Sequence, residues 1–253
     1  RRVPHPVLIG HAASLTPCSR RRQGCTAERV YRHTYPRMAA RTRRFYARYP
    51  QHVQTVRRLA AQLQEQPAAL PGGGLLTDTR LLQLGLGLGS GAGMESLHYL
   101  LEDPWGGGAP GSPLSYAFLH AVEAQSAFDT NPLYAVAHEA IYCSGRGAAS
   151  AWAAERVRAE LPEFDHAARL ATPDAPLMLT GEHVFRSNFE GEYAKLPGLK
   201  EAARLLAERA DWPALYDQRR LRECTVPTAA AVYYGARPPR APAPLAARAA
   251  APR

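Results

Sequence analysis

The sequence predicts a mostly α protein whose basic N- and C-terminal ends are disordered. Three observations lead there. Through the middle of the 253-residue chain, apolar residues recur three and four apart, the period of one helix face. A single stretch, VPTAAAVYY at 226–234, reads as a buried strand, too little for a self-sufficient α/β domain. The two ends show no apolar period at all.

The elements follow in order. Residues 1–25 are rich in Arg, free of acid and aperiodic. Pro50 can stand in the first turn of a helix whose stripe is Val53, Val56, Leu59, Ala60 and Leu63. Thr77 has the chemistry of an N-cap for a helix holding Arg80, Leu81, Leu82 and Leu84. The glycine series GLGLGSGAG at 85–93 then breaks the chain as a hinge. Ser115 caps a helix over 116–128, with Phe118, Ala121 and Val122 inward. Residues 133–142 form a short apolar helix that carries His138 and Glu139. A further helix spans 149–160 and is closed by Pro162. The helix at 199–210 is amphipathic and is stopped by Asp211-Trp212-Pro213. The last 19 residues hold only Gly, Ala, Arg, Pro and Leu, five of them Pro, and bury too little to offset the cost of ordering them.

Charge is divided in the same way. The net charge is +9, yet residues 1–58 carry 14 Arg against one acid, and 235–253 carry four Arg and no acid. The stretch between them has 13 basic and 21 acidic residues, a balance that suits a cationic ligand. Nucleic acid is not expected as a partner, because the basic ends lack the interleaved aromatics of a single-strand groove. No apolar run approaches the ~20 residues that cross a bilayer, so no membrane is expected. RRVPHPVLIG is too short and Pro-broken for a secretory signal, and the expected compartment is the cytoplasm. Cys18, Cys25, Cys143 and Cys224 show no CxxC spacing, so no disulfide framework is expected, and Cys143 reads as a buried thiol.

Familiar catalytic motifs fail here for stated reasons. The glycine series fits neither GxGxxG nor GxxxxGK[ST], and no Lys follows it. His138-Glu139 opens an HExxH, but Tyr142 occupies the second His position, which removes the paired imidazoles that zinc needs. No metal or other cofactor is expected. Gly-x-Ser-x-Gly occurs nowhere; Ser90 lies between Gly89 and Gly91 without the wider frame or a preceding strand.

Taken together, LHYLLE (97–102), NPLYAVAHEAIY (131–142), WAAERVRAE (152–160), LTGE (179–182) and DWPALYD (211–217) resemble the cap region of the proline iminopeptidases. Those are α/β-hydrolase-fold serine aminopeptidases that release an N-terminal proline. The resemblance covers roughly residues 26–234. It implies a helical cap over 26–223, a remnant strand of the catalytic sheet over 224–234, and peptides with an N-terminal proline as partners. It also implies that cap glutamates hold the substrate amine, since a charge-assisted hydrogen bond gains strength where water is excluded. Glu139 in AHEAIY and Glu182 in LTGEHVF fit that part. Tyr142 follows Glu139 by three residues and Phe185 follows Glu182 by three, which gives each acid an aromatic wall for a pyrrolidine ring. His183 to Asn188 is more polar than relatives are at this point. Arg156 and Arg158 read as a solvated face.

None of the three triad positions is filled. The nucleophile motif is missing, Gly235 stands where an Asp would follow the strand, and the His would lie beyond. The chain is therefore expected to be a truncated, inactive form, with both ends either read out of frame from an intact parent gene or natural basic tails. Flanking nucleotide sequence tests that expectation. A cap without its catalytic domain is also expected to expose apolar surface. The rival reading is a non-catalytic module that binds peptide amino termini. The sequence leaves the oligomeric state open.

Overall fold

The structure is a computed structural model that describes residues 26–125 and 127–214. The strand expected at 226–234, both basic ends, and Cys18, Cys25 and Cys224 lie outside the described residues.

The described part is mostly helical. Helix α1 (Ala27–Arg48) starts at Thr26, whose side chain accepts the Arg29 N–H. Its buried face runs through Tyr31, Tyr35, Ala39, Thr42 and Tyr46. Helix α2 (Gln51–Glu65) buries Val56, Leu59, Ala60 and Leu63 of the expected stripe, with Val53 half-buried and His52 buried beside it, and Pro50 precedes its first residue. Two short antiparallel strands, β1 (Ala68–Ala69) and β2 (Leu75–Leu76), pair Ala68 with Leu76.

Helix α3 (Asp78–Gln83) is capped by Thr77, which accepts the Arg80 N–H. A 3-10 stretch, Leu84–Gly89, leads towards α4 (Gly93–Leu100). Here the glycines permit close packing: a Cβ on Gly85 would lie 2.4 Å from the Thr180 carbonyl oxygen. Helix α5 (Tyr116–Ala124) is capped by Ser115 through the Phe118 N–H and ends sooner than expected; α6 (Ala127–Thr130) follows separately. Phe118 and Val122 point inward as expected, whereas Ala121 is only half-buried. The remaining helices are α7 (Pro132–Ala137), α8 (Ala153–Ala159), α9 (His166–Ala171) and α10 (Lys200–Glu208).

Three apolar clusters fill the interior. The first joins Phe45, Leu59, Leu63, Leu81, Leu82 and Phe118. The second joins Tyr31, Tyr35, Val157, Phe164 and Phe185. The third joins Phe128, Trp152, Val184, Phe189 and Tyr193. One segment, 177–185, which bends at Glu182, serves all three. Leu177 and Leu179 enter the first, Met178 and Phe185 the second, and Val184 the third. The alternation of Leu177, Met178 and Leu179 is the two-residue period of extended chain. Glu182 sits on this segment, where the three clusters meet.

Several large apolar side chains face outward, among them Tyr99, Tyr116, Leu133 and Ile141. Among the described residues, no helix is long and apolar enough to cross a membrane.

Candidate functional site

The expected helix over 133–142 divides in two. Helix α7 stops at Ala137, His138 and Glu139 form a turn, and Ala140–Tyr142 closes a 3-10 turn. Side-chain bonds hold that turn. His138 Nε2 lies 3.0 Å from the Glu182 carbonyl oxygen. A carbonyl can only accept, so the Nε2 carries the proton. Glu139 turns its carboxylate to the start of α8, where the Ala153 and Ala154 N–H groups donate at 3.0 and 2.9 Å.

Those donors are presented by an unusual backbone. Ala151 and Trp152 both take left-handed angles, φ 47° and 56°, a conformation that is strained for residues with a Cβ. For this reason α8 begins at Ala153 instead of 149. The turn is tied down by Ala151 N–H to the Ala207 carbonyl at 2.9 Å and by Arg156 Nη1 to the Ser150 carbonyl at 2.9 Å. Trp152 then lies edge-on to Phe189, with ring centroids 5.8 Å apart.

Glu139 is only 6% exposed. Burial pushes its carboxyl above the ordinary range, opposed by the hydrogen bonds from Ala154, Ser150 and Ala153. The cavity beside it, bordered by Ser150, Trp152 and Val184, measures about 10 Å³, no more than a water requires. Tyr31 lies close by. Its hydroxyl meets no hydrogen-bond partner by geometry, and burial, then the Glu139 charge, push it well above the usual phenol range.

The two aromatics expected to wall the site enter one group of rings. Tyr142 is half-buried and stands edge-on to Tyr31 (6.4 Å, 83°) and to His138 (6.3 Å, 86°). Phe185 is buried and parallel to His183 (6.3 Å, 10°). The Arg158 guanidinium lies 4.4 Å from the Phe185 ring centroid, so Arg158 is a half-buried cation on an aromatic face instead of the expected solvated one. Arg156 is exposed and pairs with Glu28 at 3.5 Å.

His183 is the residue that sequence reasoning missed. It is buried against Tyr35 (4.2 Å) and Tyr31 (5.3 Å). Its Nδ1 accepts the Gly181 N–H at 2.9 Å, which leaves Nε2 to carry the proton, 3.4 Å from Thr34 Oγ1. Burial pushes its pKa down to about 3, so the ring is neutral. A signal for both histidines is present in the sequence, because each candidate glutamate has a histidine beside it, as His138-Glu139 and Glu182-His183.

The structure thus joins the two expected segments through His138 and Glu182, and joins Tyr142 and Phe185 to one aromatic cluster. Among the described residues no three or more His, Cys, Asp and Glu side chains converge as a metal site.

Over 210 residues, 83% of its length, the chain is 46% identical to a proline iminopeptidase of Aeromonas sobria. The chain is a proline iminopeptidase homologue. It is also 33% identical over 189 residues to a proline iminopeptidase of Aspergillus aculeatus. The homologue spans about half the length of these relatives, 47% of the first and 40% of the second. No protein-family model matches it. A 210-residue match within 253 residues includes Glu139 and Glu182 wherever it starts, so both candidate acids of the homologue lie in the shared region.

Proposed function

We propose that residues 26–214 form the substrate-recognising cap of a proline iminopeptidase-type aminopeptidase, and that they hold the imino nitrogen of a peptide with an N-terminal proline. What supports this reading is the convergence of the HEAIY and TGEHVF segments at the junction of three cores, inside the region of similarity. Glu182 is half-buried in a bend closed by the His183 N–H on the Gly181 carbonyl at 2.8 Å, and takes the cationic amine, with Tyr142 and Phe185 as aromatic wall. Glu139 orients the site. Its oxygens accept the Ala153 and Ala154 N–H groups, and its charge acts on the cation from behind the turn that carries His138.

In this reading a whole enzyme brings an activated serine to the prolyl carbonyl, while the cap supplies position and charge complementarity. The present sequence contains no Gly-x-Ser-x-Gly, hence no strained turn to expose a serine Oγ and its oxyanion donors. The chain by itself then hydrolyses nothing. Incubation with a chromogenic prolyl anilide tests this. No release of the aniline above background is expected; turnover abolished by a serine-directed inhibitor would overturn the proposal.

A further inference from the structure

A cavity of about 260 Å³ opens beside Gly181, the residue before Glu182. Its floor is Arg80 and Gln83, both buried, and its sides include Val122, Phe128 and Leu86.

The floor is already satisfied. Gln83 Nε2 donates to the His183 carbonyl at 2.7 Å and to Asn188 Oδ1 at 3.1 Å. Gln83 Oε1 accepts from Asn188 Nδ2 at 3.0 Å and from the Tyr193 hydroxyl at 3.3 Å. Arg80 donates to the Glu192 carbonyl and to the Asp129 carboxylate at 3.3 Å, and its guanidinium lies 4.1 Å from the Tyr193 ring centroid. With its positive charge opposed by Asp129, the floor asks for neither an anion nor a cation. The cavity offers apolar wall. Its volume falls below the roughly 300–1,000 Å³ of pockets that enclose drug-sized ligands, which fits one side chain and not a whole peptide.

We infer that this cavity receives the uncharged apolar side chain of the second residue of a bound peptide. The inference rests on the proposed amine-holding role of Glu182. Gly181 lines the cavity and is bonded directly to Glu182, so the two subsites adjoin. The Gln83 bond to the His183 carbonyl fixes the cavity floor to the segment that carries Glu182, so the two subsites keep a constant spacing.

The test uses the full chain and calorimetric titration with three dipeptide amides, Pro-Gly, Pro-Leu and Pro-Lys. Pro-Leu amide is expected to bind about ten-fold or more tighter than Pro-Gly amide, the factor that burying a leucine side chain gives. Pro-Lys amide gains nothing. A side chain is then introduced into the cavity wall by Gly87→Leu, where a Cβ meets no atom within 4 Å. This variant should bring Pro-Leu amide to within two-fold of Pro-Gly amide while leaving Pro-Gly amide unchanged. Gly89→Leu, equally open but off the cavity lining, should keep the wild-type preference. Binding of Pro-Gly amide with no gain for Pro-Leu amide, or a gain that survives Gly87→Leu, overturns the inference alone. If no dipeptide amide binds, the amine-holding role fails and the inference falls with it.

Discussion

The core around Leu59, Leu63, Leu81 and Leu82 and the junction around Glu139 and His183 both exclude water, but they enclose different chemistry. The first is closed by aliphatic and aromatic side chains from α1, α2, α3, α4 and α5. The second encloses Glu139, His138 and His183 among Tyr31, Tyr35 and Phe185. Burying apolar groups stabilises a fold, whereas burying ionisable groups costs stability unless every bond is met. The difference teaches where to look for function. A region that keeps a desolvated acid at Glu139, a neutral imidazole at His183 and a left-handed turn at Ala151-Trp152 is not arranged for stability alone.

The comparison can be broken at either region. The largest effect is expected in the first. Phe45→Ala removes a fully buried ring and should lower unfolding free energy by about 3–5 kcal/mol, read by urea titration, with peptide binding unchanged where the variant is folded. Next comes the junction. Glu139→Ala strips the acceptor from two buried N–H groups and should cost about 2–3 kcal/mol. Glu139→Gln keeps one acceptor oxygen and should cost less.

Acid should reach both regions, since His183 lies in the junction and His52 stacks on Phe45 of the first core. His183 is held at about 3, and His52 and His166 at about 4, each mainly by burial. Their ordinary value is 6.5, so on acidification the unfolded chain binds protons before the folded one does. Stability is therefore complete above pH 6.5 and is lost as pH falls towards 4. Thermal midpoints measured between pH 7.5 and 4.5 should drop, and His183→Gln should flatten the slope. The smallest effect belongs to the surface. Lys200 and Glu190 pair at 2.7 Å but are more than half exposed, and Lys200→Ala should change stability by about 0–1 kcal/mol.

How legible each region is in the sequence follows from how local its determinants are. The α2 stripe and the caps Thr77 and Ser115 depend on residues three or four apart, and the structure reproduces them. Helix α1 is hidden because seven Arg dilute its pattern and its buried face is tyrosines and small residues, with Pro36 inside it. The glutamates stand out because each is an acid in an apolar run. What Glu139 touches is not legible, because the Ala153 N–H arrives from fourteen residues away and only through a backbone turn that no side-chain pattern announces. The partners of the polar stretch 183–188 are hidden for a related reason. His183 and Asn188 are buried, and each accepts a nearby backbone N–H, from Gly181 at 2.9 Å and from Phe185 at 2.8 Å.

The central claim, that this region holds a cationic peptide amino terminus through Glu182, is tested most directly by calorimetric titration of the full chain with prolinamide and with N-acetylprolinamide, which carries no charge on nitrogen. The account predicts saturable binding of prolinamide, none of the acetylated compound, and loss of prolinamide binding in Glu182→Gln with the thermal midpoint preserved. Equal binding of both compounds, or prolinamide binding that survives Glu182→Gln, would contradict it.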